Sequence, residues 1–525
     1  MKKLIFLGIS LVMSFNIFGQ TKGKIYSDLN NNRTLDKNEP GIANVLVSNG
    51  SEVVKTDKTG NYEISLKPGE ILFVIKPHGW KFPLDKNNLS QFYYIYKPEG
   101  SPTTKYMGSQ PTGALPSSID FPLYASAEPD NFKLFLFGDP QPANVQETEF
   151  LAKDVISEVA GDTVCKFGIS LGDIVSDNLN DYPFVKSSFA QIGLPWYNVM
   201  GNHDLNFDAP SDKHTGETFE ATFGPATYAF QYAKAHFIVL DDVVYGEQSS
   251  GKNKYIGGFR PDQLQFIKNY LAFVPKDELI VLCMHIPLFQ EIATYYKDIN
   301  TFRPEDRQQL FDILKEHQHT FSVSAHTHYQ MHYFFKAADG WNQTMPHHHF
   351  NAGATCGDWF RGLQNPEGYP DATMRDGTPN GYTIMTVQGN TYKLKYKAAG
   401  MHDNKQMSIT IAASDTLAQS QKYVYVNFYM GNELCKASCR FDNMGSWASM
   451  VKTEEFDPRM VAMKKALANL DSKAIGRQVS DPQPCWHLWK LELPSQLEKG
   501  YHTVEVRVTD MYNEVHIDKL VFLVK

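Results

Sequence analysis

The chain has 525 residues, 42% of them hydrophobic and 13% aromatic, with a formal net charge of −8. It is too long for one hydrophobic core and predicts roughly three domains of about 100–200 residues each. The acidic balance and the lack of a long basic run argue against a long nucleic acid as partner, because binding a phosphate backbone draws on clustered Lys and Arg.

The chain opens on Met-Lys-Lys and the apolar stretch "LIFLGISLVMSFNIFG", ending in small or polar residues near Gly19 and Gln20. This reads as a secretory signal over residues 1–20. An uncleaved anchor is the competing reading, since the stretch approaches the ~18 apolar residues that span a bilayer. No later segment is long and apolar enough to do so, and the expectation is a periplasmic or secreted protein with no transmembrane span after signal removal. The six cysteines lack the spacing of a disulfide framework. Cys165 and Cys283 lie in apolar runs and are expected to pack as thiols, whereas a pair among Cys435, Cys439 and Cys485 is open to oxidation.

Residues 21–125 read as an all-β module, because short alternating runs ("IANVLVSNG", "GNYEISL") are divided by Gly, Asn and Asp turns. They resemble the small Ig-like, prealbumin-like sandwiches found beside secreted hydrolases. Within them "DLNNNRTLDKNE" sets Asp28, Asn30, Asn32, Thr34, Asp36 and Glu39 at positions one, three, five, seven, nine and twelve of a calcium loop. Arg33 stands where such loops carry glycine, so a structural calcium competes here with a solvated acidic turn.

Residues 130–395 carry the chemistry. Five pieces, "LFLFGDPQP", "FGISLGDIVSD", "NVMGNHD", "IVLCMHIPL" and "VSAHTHYQ", present Asp139, Asp173, Asn202-His203-Asp204, His285 and His326-Thr327-His328 in order. In all but the third, an apolar β-type run leads straight into the polar residue. The ligands are therefore expected at the carboxyl ends of buried strands, where the crevice of an α/β sheet lies. Oxygen and imidazole donors of this kind suit two adjacent divalent ions, which a carboxylate at Asp173 could bridge at ~3.5–4 Å.

In this order the pieces resemble the calcineurin-like metallophosphoesterase family, whose signature runs D-x-H, G-D-x-x-x-D, G-N-H-[DE], H and G-H-x-H. The resemblance implies an α/β fold with a β-sandwich core flanked by helices and two accessory all-β domains. It also implies a dinuclear site that hydrolyses phosphomonoesters or phosphodiesters through a metal-activated hydroxide. Carried over by position, one ion takes Asp139, Asp173 and His328, and the other Asp173, Asn202, His285 and His326. His203 becomes the catalytic imidazole, Asp204 orients its ring, and Asp177 does similar supporting work. Gln141 replaces the usual histidine of the first motif and Ala325 the glycine before His326. A glutamine oxygen is a harder ligand, which favours Mn²⁺, Mg²⁺ or Ca²⁺ over Zn²⁺, with Fe also in the family's range.

Other residues invite weaker readings. His347-His348-His349 cannot converge on one ion, because neighbours on a strand point to opposite faces. Trp359 and Arg361, in the Gly-rich "NAGATCGDWFRG", are candidates for an aromatic wall and a phosphate-binding guanidinium, against packing and a surface salt bridge. His236 in "YAKAHFIVLDD" is expected to be a satisfied core histidine. Residues 400–525 read as a second β-sandwich, with a helical insert at "FDPRMVAMKKALANLDSK". There Trp486 and Trp489 suggest core or inter-domain packing more than a sugar platform.

The partner expected is a small phosphorylated metabolite, nucleotide, glycan or lipid head group. A second function, from another class, is a catalytically silent scaffold that binds glycan or a surface partner through its β modules.

Overall fold

The computed structural model describes residues 20–249, 253–290, 302–413, 422–468, 470 and 477–524. The stretch read as a signal lies outside them, apart from Gln20. Among the described residues no helix is long and apolar enough to cross a membrane.

Residues 20–125 form two four-stranded sheets. One runs Asn61–Ser65, Gln20–Ser27, Phe121–Ala125, Trp80–Lys81, and the other Val53–Lys55, Leu46–Ser48, Glu70–Ile75, Tyr93–Tyr96. The alternation seen in the sequence is the cause: in Asn61–Ser65 Tyr62 and Ile64 turn inward while their neighbours face solvent.

The central region is built on two mixed sheets. The five-stranded sheet is ordered Trp196–Asn198, Cys165–Ser170, Asn131–Phe137, Gly381–Gln388, Thr391–Ala398. The six-stranded sheet is ordered Tyr228–Tyr232, Ala235–Val239, Leu279–Cys283, His319–Ser324, His347–Ala352, Gln330–Phe335. Leu134, Phe135, Leu136 and Phe137 are all buried, so this strand is covered on both faces, as its unbroken apolar run requires. Aromatic rings join the sheets. Tyr197 stacks on Phe230 with centroids 3.9 Å apart, and Phe230 on Phe237 at 5.0 Å. Such contacts add about 0.5–1.5 kcal/mol each to the burial itself.

The ligand-bearing strands pair in parallel: Asn131–Phe137 with Cys165–Ser170, and that with Trp196–Asn198, in one sheet. In the other, Leu279–Cys283 pairs with His319–Ser324. Parallel pairing aligns strand ends. Asp139, Asp173, Asn202, His285 and His326 thus leave the two sheets within a few residues of a carboxyl end.

Residues 407–524 form two more four-stranded antiparallel sheets. The expected helical insert is the helix Pro458–Leu467, started by Asp457, whose side chain accepts from the Arg459 amide. Trp489 is in the core, and Trp486 packs against Tyr329 and Met331 of the central region, the inter-domain role that large aromatics favour. All six cysteines are free and buried, so no pair among Cys435, Cys439 and Cys485 is joined.

Candidate metal centre

The loops carrying the expected ligands share an uncommon backbone. Asp139, Gln141, Asp173, Asp177, His326 and His328 have φ of 28, 40, 49, 62, 74 and 55°. For non-glycine residues this left-handed region is sparsely populated, and holding one there costs about 1–3 kcal/mol. Neighbouring glycines make the close approach possible. A Cβ on Gly172 would lie 2.4 Å from His285 Nδ1, and one on Gly201 2.2 Å from the Asp173 amide.

The side chains converge. His285 Nδ1 donates to the Leu171 carbonyl at 2.8 Å, which fixes the ring proton there and leaves the Nε2 lone pair facing inward. That Nε2 lies 3.1 Å from Asn202 Oδ1, 3.3 Å from Asp173 Oδ1 and 3.2 Å from His326 Nδ1. The donor atoms of Asp173, His285 and His326 all fall within 4.8 Å of one another. Acceptors crowded like this need a positive charge among them, which a proton on His285 or a divalent cation supplies. The ligand chemistry fits a divalent ion.

The first group is assembled beside it. Asp139 Oδ2 accepts from the His326 amide at 2.8 Å, while its Oδ1 and the Oε1 of Gln141 are buried with no hydrogen-bond partner. Gln141 Nε2 donates to Asp173 Oδ2 at 3.0 Å, which leaves its carbonyl oxygen free to act as a ligand. Buried acceptors are seldom left unpaired. His328 Nδ1 donates to the Gly357 carbonyl at 2.7 Å, which again frees Nε2.

Electrostatics divide these side chains. Burial holds His326 and His328 down at about 3, so both are neutral donors at neutral pH. Burial also pushes the Asp139 carboxyl well up. Burial alone would lower His285, but the charge of Asp173 outweighs it and lifts the imidazole to about 10. Asp173 is correspondingly held low by His285 and His203, against the effect of its burial. The carboxylate at the centre of the cage is the most strongly ionised.

His203 is only partly buried. Its amide donates to Asp173 Oδ1 at 2.8 Å, and its Nδ1 lies 2.7 Å from Asp177 Oδ1. Burial opposes its charge, yet Asp173 and then the Asp177 bond raise it to about 9. The expectation for Asp204 needs correcting. Its oxygens accept from Gly201 N at 2.9 Å, Ile174 N at 3.1 and 3.2 Å, and Tyr182 Oη at 3.0 Å, a brace between two ligand loops. The ring partner of His203 is Asp177.

Trp359 does border the centre, its ring against His328 with centroids 4.0 Å apart. Arg361 lays its guanidinium over Trp359 and donates through Nη1 to Ser480 Oγ at 2.7 Å, a contact with the C-terminal module, while its Nε is buried without a hydrogen-bond partner. His347 and His349 share one face and bond Ser322, while His348 takes the other and bonds His332 and Tyr392. His236 is satisfied by Tyr270 and Glu278.

In the N-terminal loop, Asp28 accepts from the Asn32 and Arg33 amides, and Glu39 from the Leu29 and Asp36 amides. Asp36 accepts from the Asn30 and Asn32 side chains, and the Thr34 amide donates to Asn32. Arg33 takes the left-handed conformation at φ 60°, and its guanidinium reaches the Leu84 carbonyl at 2.6 Å. The side chains that the calcium reading requires are thus engaged within the loop.

Two contributors escaped the sequence reading. Asp242, fully buried, accepts from the His285 and Ile286 amides at 3.0–3.2 Å and fixes that ligand's backbone. Its signal was present, since it ends the apolar run "HFIVLDD" as the ligands end theirs. Tyr255, on the strand Asn253–Gly257, sets its ring edge against His326, centroids 6.3 Å apart.

Residues 132–330 match the calcineurin-like phosphoesterase family, residues 29–108 its N-terminal module (N terminal of calcineurin-like phosphoesterase), and residues 349–516 its C-terminal module. A probable glycerophosphodiester phosphodiesterase from Arcobacter nitrofigilis is 24% identical over 165 residues, covering 30% of this chain and 55% of that protein. The chain thus spans about half the length of that curated relative. Among solved structures, a purple acid phosphatase from yellow lupin (Lupinus luteus) seeds aligns with TM-score 0.38 at 12% identity, over 70% of each chain. A cold-active protein-tyrosine phosphatase from a psychrophilic Shewanella aligns at 0.21 and 9% identity, over 62% of this chain and 95% of that one. With its central, N-terminal and C-terminal stretches all matched, the chain belongs to the calcineurin-like phosphoesterase family.

Proposed function

We propose that the protein is an exported, dinuclear-metal-dependent phosphoesterase acting on small phosphomonoesters or phosphodiesters. The observation that carries the reading is the convergence of ligand atoms: His285 Nε2, Asn202 Oδ1 and Asp173 Oδ1 lie together, and Asp139 Oδ1 and Gln141 Oε1 are buried without a hydrogen-bond partner. Asp139, Gln141, Asp173 and His328 would hold one ion, and Asp173, Asn202, His285 and His326 the second. Two divalent ions there would acidify water and neutralise phosphoryl charge, usually the dominant contribution in such reactions.

The chain's own residues do the rest. Asp173 presents an oxygen to both groups, and Gln141 steadies it. Asp177 holds His203 Nδ1, leaving Nε2 to keep a proton at neutral pH and deliver it to the leaving oxygen. A buried Gln141 oxygen without a hydrogen-bond partner favours the enzyme over the silent scaffold. The likeness to the glycerophosphodiester phosphodiesterase supports the diester side of this reading, and the amino-terminal stretch supports export.

The test uses full-length protein stripped of metal and reconstituted with Mn²⁺, Zn²⁺, Mg²⁺ or Ca²⁺, assayed on p-nitrophenyl phosphate and bis-p-nitrophenyl phosphate. Turnover should require metal, and Asp173→Asn should lower it by at least about 100-fold while leaving the fold intact. Metal-independent turnover, or full activity in Asp173→Asn, would remove the reading.

A further inference from the structure

Both contacts that orient His328 come from one loop, residues 355–361: the Gly357 carbonyl that takes its Nδ1 proton and the Trp359 ring stacked against it. That loop has turn bonds of its own, Phe360 N to Cys356 O and Arg361 N to Asp358 O, both at 3.0 Å, and its Thr355 and Cys356 amides bond the Gly138 and Asp139 carbonyls. Trp359 and Phe360 stand consecutively at φ 52 and 51°, which bulky side chains rarely adopt and surrounding structure must impose.

Further constraint comes from the C-terminal module. Arg361 covers the Trp359 ring, 5.2 Å from guanidinium carbon to centroid, and its Nη1 donates to Ser480 Oγ at 2.7 Å. The Ser480 amide donates to Asp358 Oδ2 at 2.6 Å, and Arg477 donates to the Trp359 carbonyl. The same segment reaches the other side of His328. Its carbonyl accepts from the Arg375 amide at 3.2 Å, and the Arg375 carbonyl in turn accepts from the Gln483 amide at 2.9 Å. His328 is thus gripped through its ring and its backbone by residues 477–483.

We propose that this segment is a strap that positions His328 and thereby sets the affinity of the metal group that His328 serves, with Arg361 and Ser480 as positioning residues. The inference rests on the phosphoesterase reading only in taking His328 as a ligand. Its physical basis is that an imidazole binds metal well only when its ring is held in the right plane and tautomer by outer partners. Among the described residues no hydrogen bond joins 477–483 to His285 or His326, so the effect should fall on one ion.

The experiment is calorimetric titration of metal-stripped full-length protein with Mn²⁺, with His328→Ala identifying which binding step belongs to His328. Ser480→Ala and Arg361→Ala should weaken that step by about 10–100-fold while the other step keeps its wild-type affinity. Arg361→Lys, which keeps the charge and reach but not the planar fork, should recover part of the loss. Hydrogen exchange over residues 355–361 should quicken in the same variants. Trp447→Phe, in the same module between Arg440 and Arg507, should change neither step. Wild-type affinity at both steps in a folded Ser480→Ala or Arg361→Ala protein overturns the strap, as does an equal loss at both. Should Arg361→Ala fail to fold, Ser480→Ala carries the test, since it removes a single hydroxyl. Two bound Mn²⁺ without turnover of any phosphoester would refute the function while leaving the strap standing.

Discussion

Asp204 and Asp177 are the two carboxylates that compete for the role of His203's partner, and substituting each by asparagine separates them. Asp204 serves three buried donors, the amides of Gly201 and Ile174 and the hydroxyl of Tyr182. In Asp204→Ala all three lose their acceptor, at about 1–3 kcal/mol each, a sum that approaches the whole 5–15 kcal/mol stability of a typical domain. Asp204→Asn is the cleaner perturbation. Its oxygen still serves Ile174 and Tyr182, but its amide nitrogen meets the Gly201 N–H, donor against donor, at about 1–3 kcal/mol. Part of that returns, because burial and the charge of Asp173 push the Asp204 carboxyl up to about 7 and a neutral amide escapes this penalty. A net loss of about 1–2 kcal/mol lowers the melting temperature by roughly 2–8 °C for a domain of this size. The assays are scanning calorimetry and the pH dependence of kcat. Asp204→Asn should lower the melting temperature and leave the alkaline limb of kcat in place. Asp177→Asn should do the reverse. His203 is held up toward 9 by Asp173 and then by Asp177, so losing the Asp177 bond lowers its pKa and the protonated ring disappears at lower pH. An Asp204→Asn protein of unchanged stability whose alkaline limb moves would show that Asp204 tunes His203 after all.

His203→Gln should keep both metals by calorimetry and lose about 10²–10⁴-fold in kcat, less with p-nitrophenolate than with an alkyl alcohol, because a good leaving group needs no proton. An equal loss on both substrates would contradict the proton-delivery role. Gly201→Ala places a Cβ 2.2 Å from the Asp173 amide and 2.3 Å from its Oδ1, so it should cost about 1–3 kcal/mol of stability and weaken Mn²⁺ binding together. A stable variant with unaltered metal binding would show that the loops can part. Burial raises Asp154 from 3.8 to about 6, even though Asn380 donates to it at 2.6 Å. A raised carboxyl contributes stability that is full below pH 3.8 and is lost as pH rises through about 6. Two pKa units correspond to about 3 kcal/mol, so Asp154→Asn should match wild type near pH ~4 and exceed it by up to that amount near pH ~8 in chemical denaturation. An unchanged pH slope would remove Asp154 as its source.

What could be read in the sequence was set by strand geometry. Asp139, Asp173, His285 and His326 each end an apolar run, and parallel pairing brings such ends to one edge, so their convergence followed from local pattern alone. The strand before Asn202 is only three residues, Trp196–Asn198, too short to show a period, and its motif was legible only through its resemblance. Roles that depend on where a chain turns were not legible. Asp204 adjoins His203 in sequence, but the short 3₁₀ turn Asn202–Asp204 sends it inward, while Asp177, at φ 62°, comes back to the ring from 26 residues away. The contact of Arg361 with the C-terminal module was not legible because Ser480 lies 119 residues downstream. The Gly357 and Leu171 carbonyls that fix two imidazoles are main-chain atoms, which carry no residue signature at all.

These illegible contacts share a direction, since several come from outside the central sheets. Tyr106, in the N-terminal half of the chain, donates its hydroxyl to the Asp177 carbonyl at 2.8 Å, just where the His203 partner is set. Asn206, two residues past the Asn202–Asp204 turn, donates to Thr104 at 3.1 Å, and the Lys105 amide to Asp208 at 2.6 Å. On the opposite flank, Ser480 and Arg477 hold the loop behind His328. His203, the proposed proton donor, is therefore braced by one accessory module, and His328, proposed as a ligand of the first metal group, by the other. Tyr106→Phe removes only the hydroxyl, and should loosen Asp177 and shift the alkaline limb of kcat downward as Asp177→Asn does, by a smaller step, with both metal affinities unchanged. Ser480→Ala should do the opposite, changing one metal affinity and leaving that limb in place. Should the two variants give the same phenotype, the accessory modules would be acting through overall stability and not through the separate halves of the site.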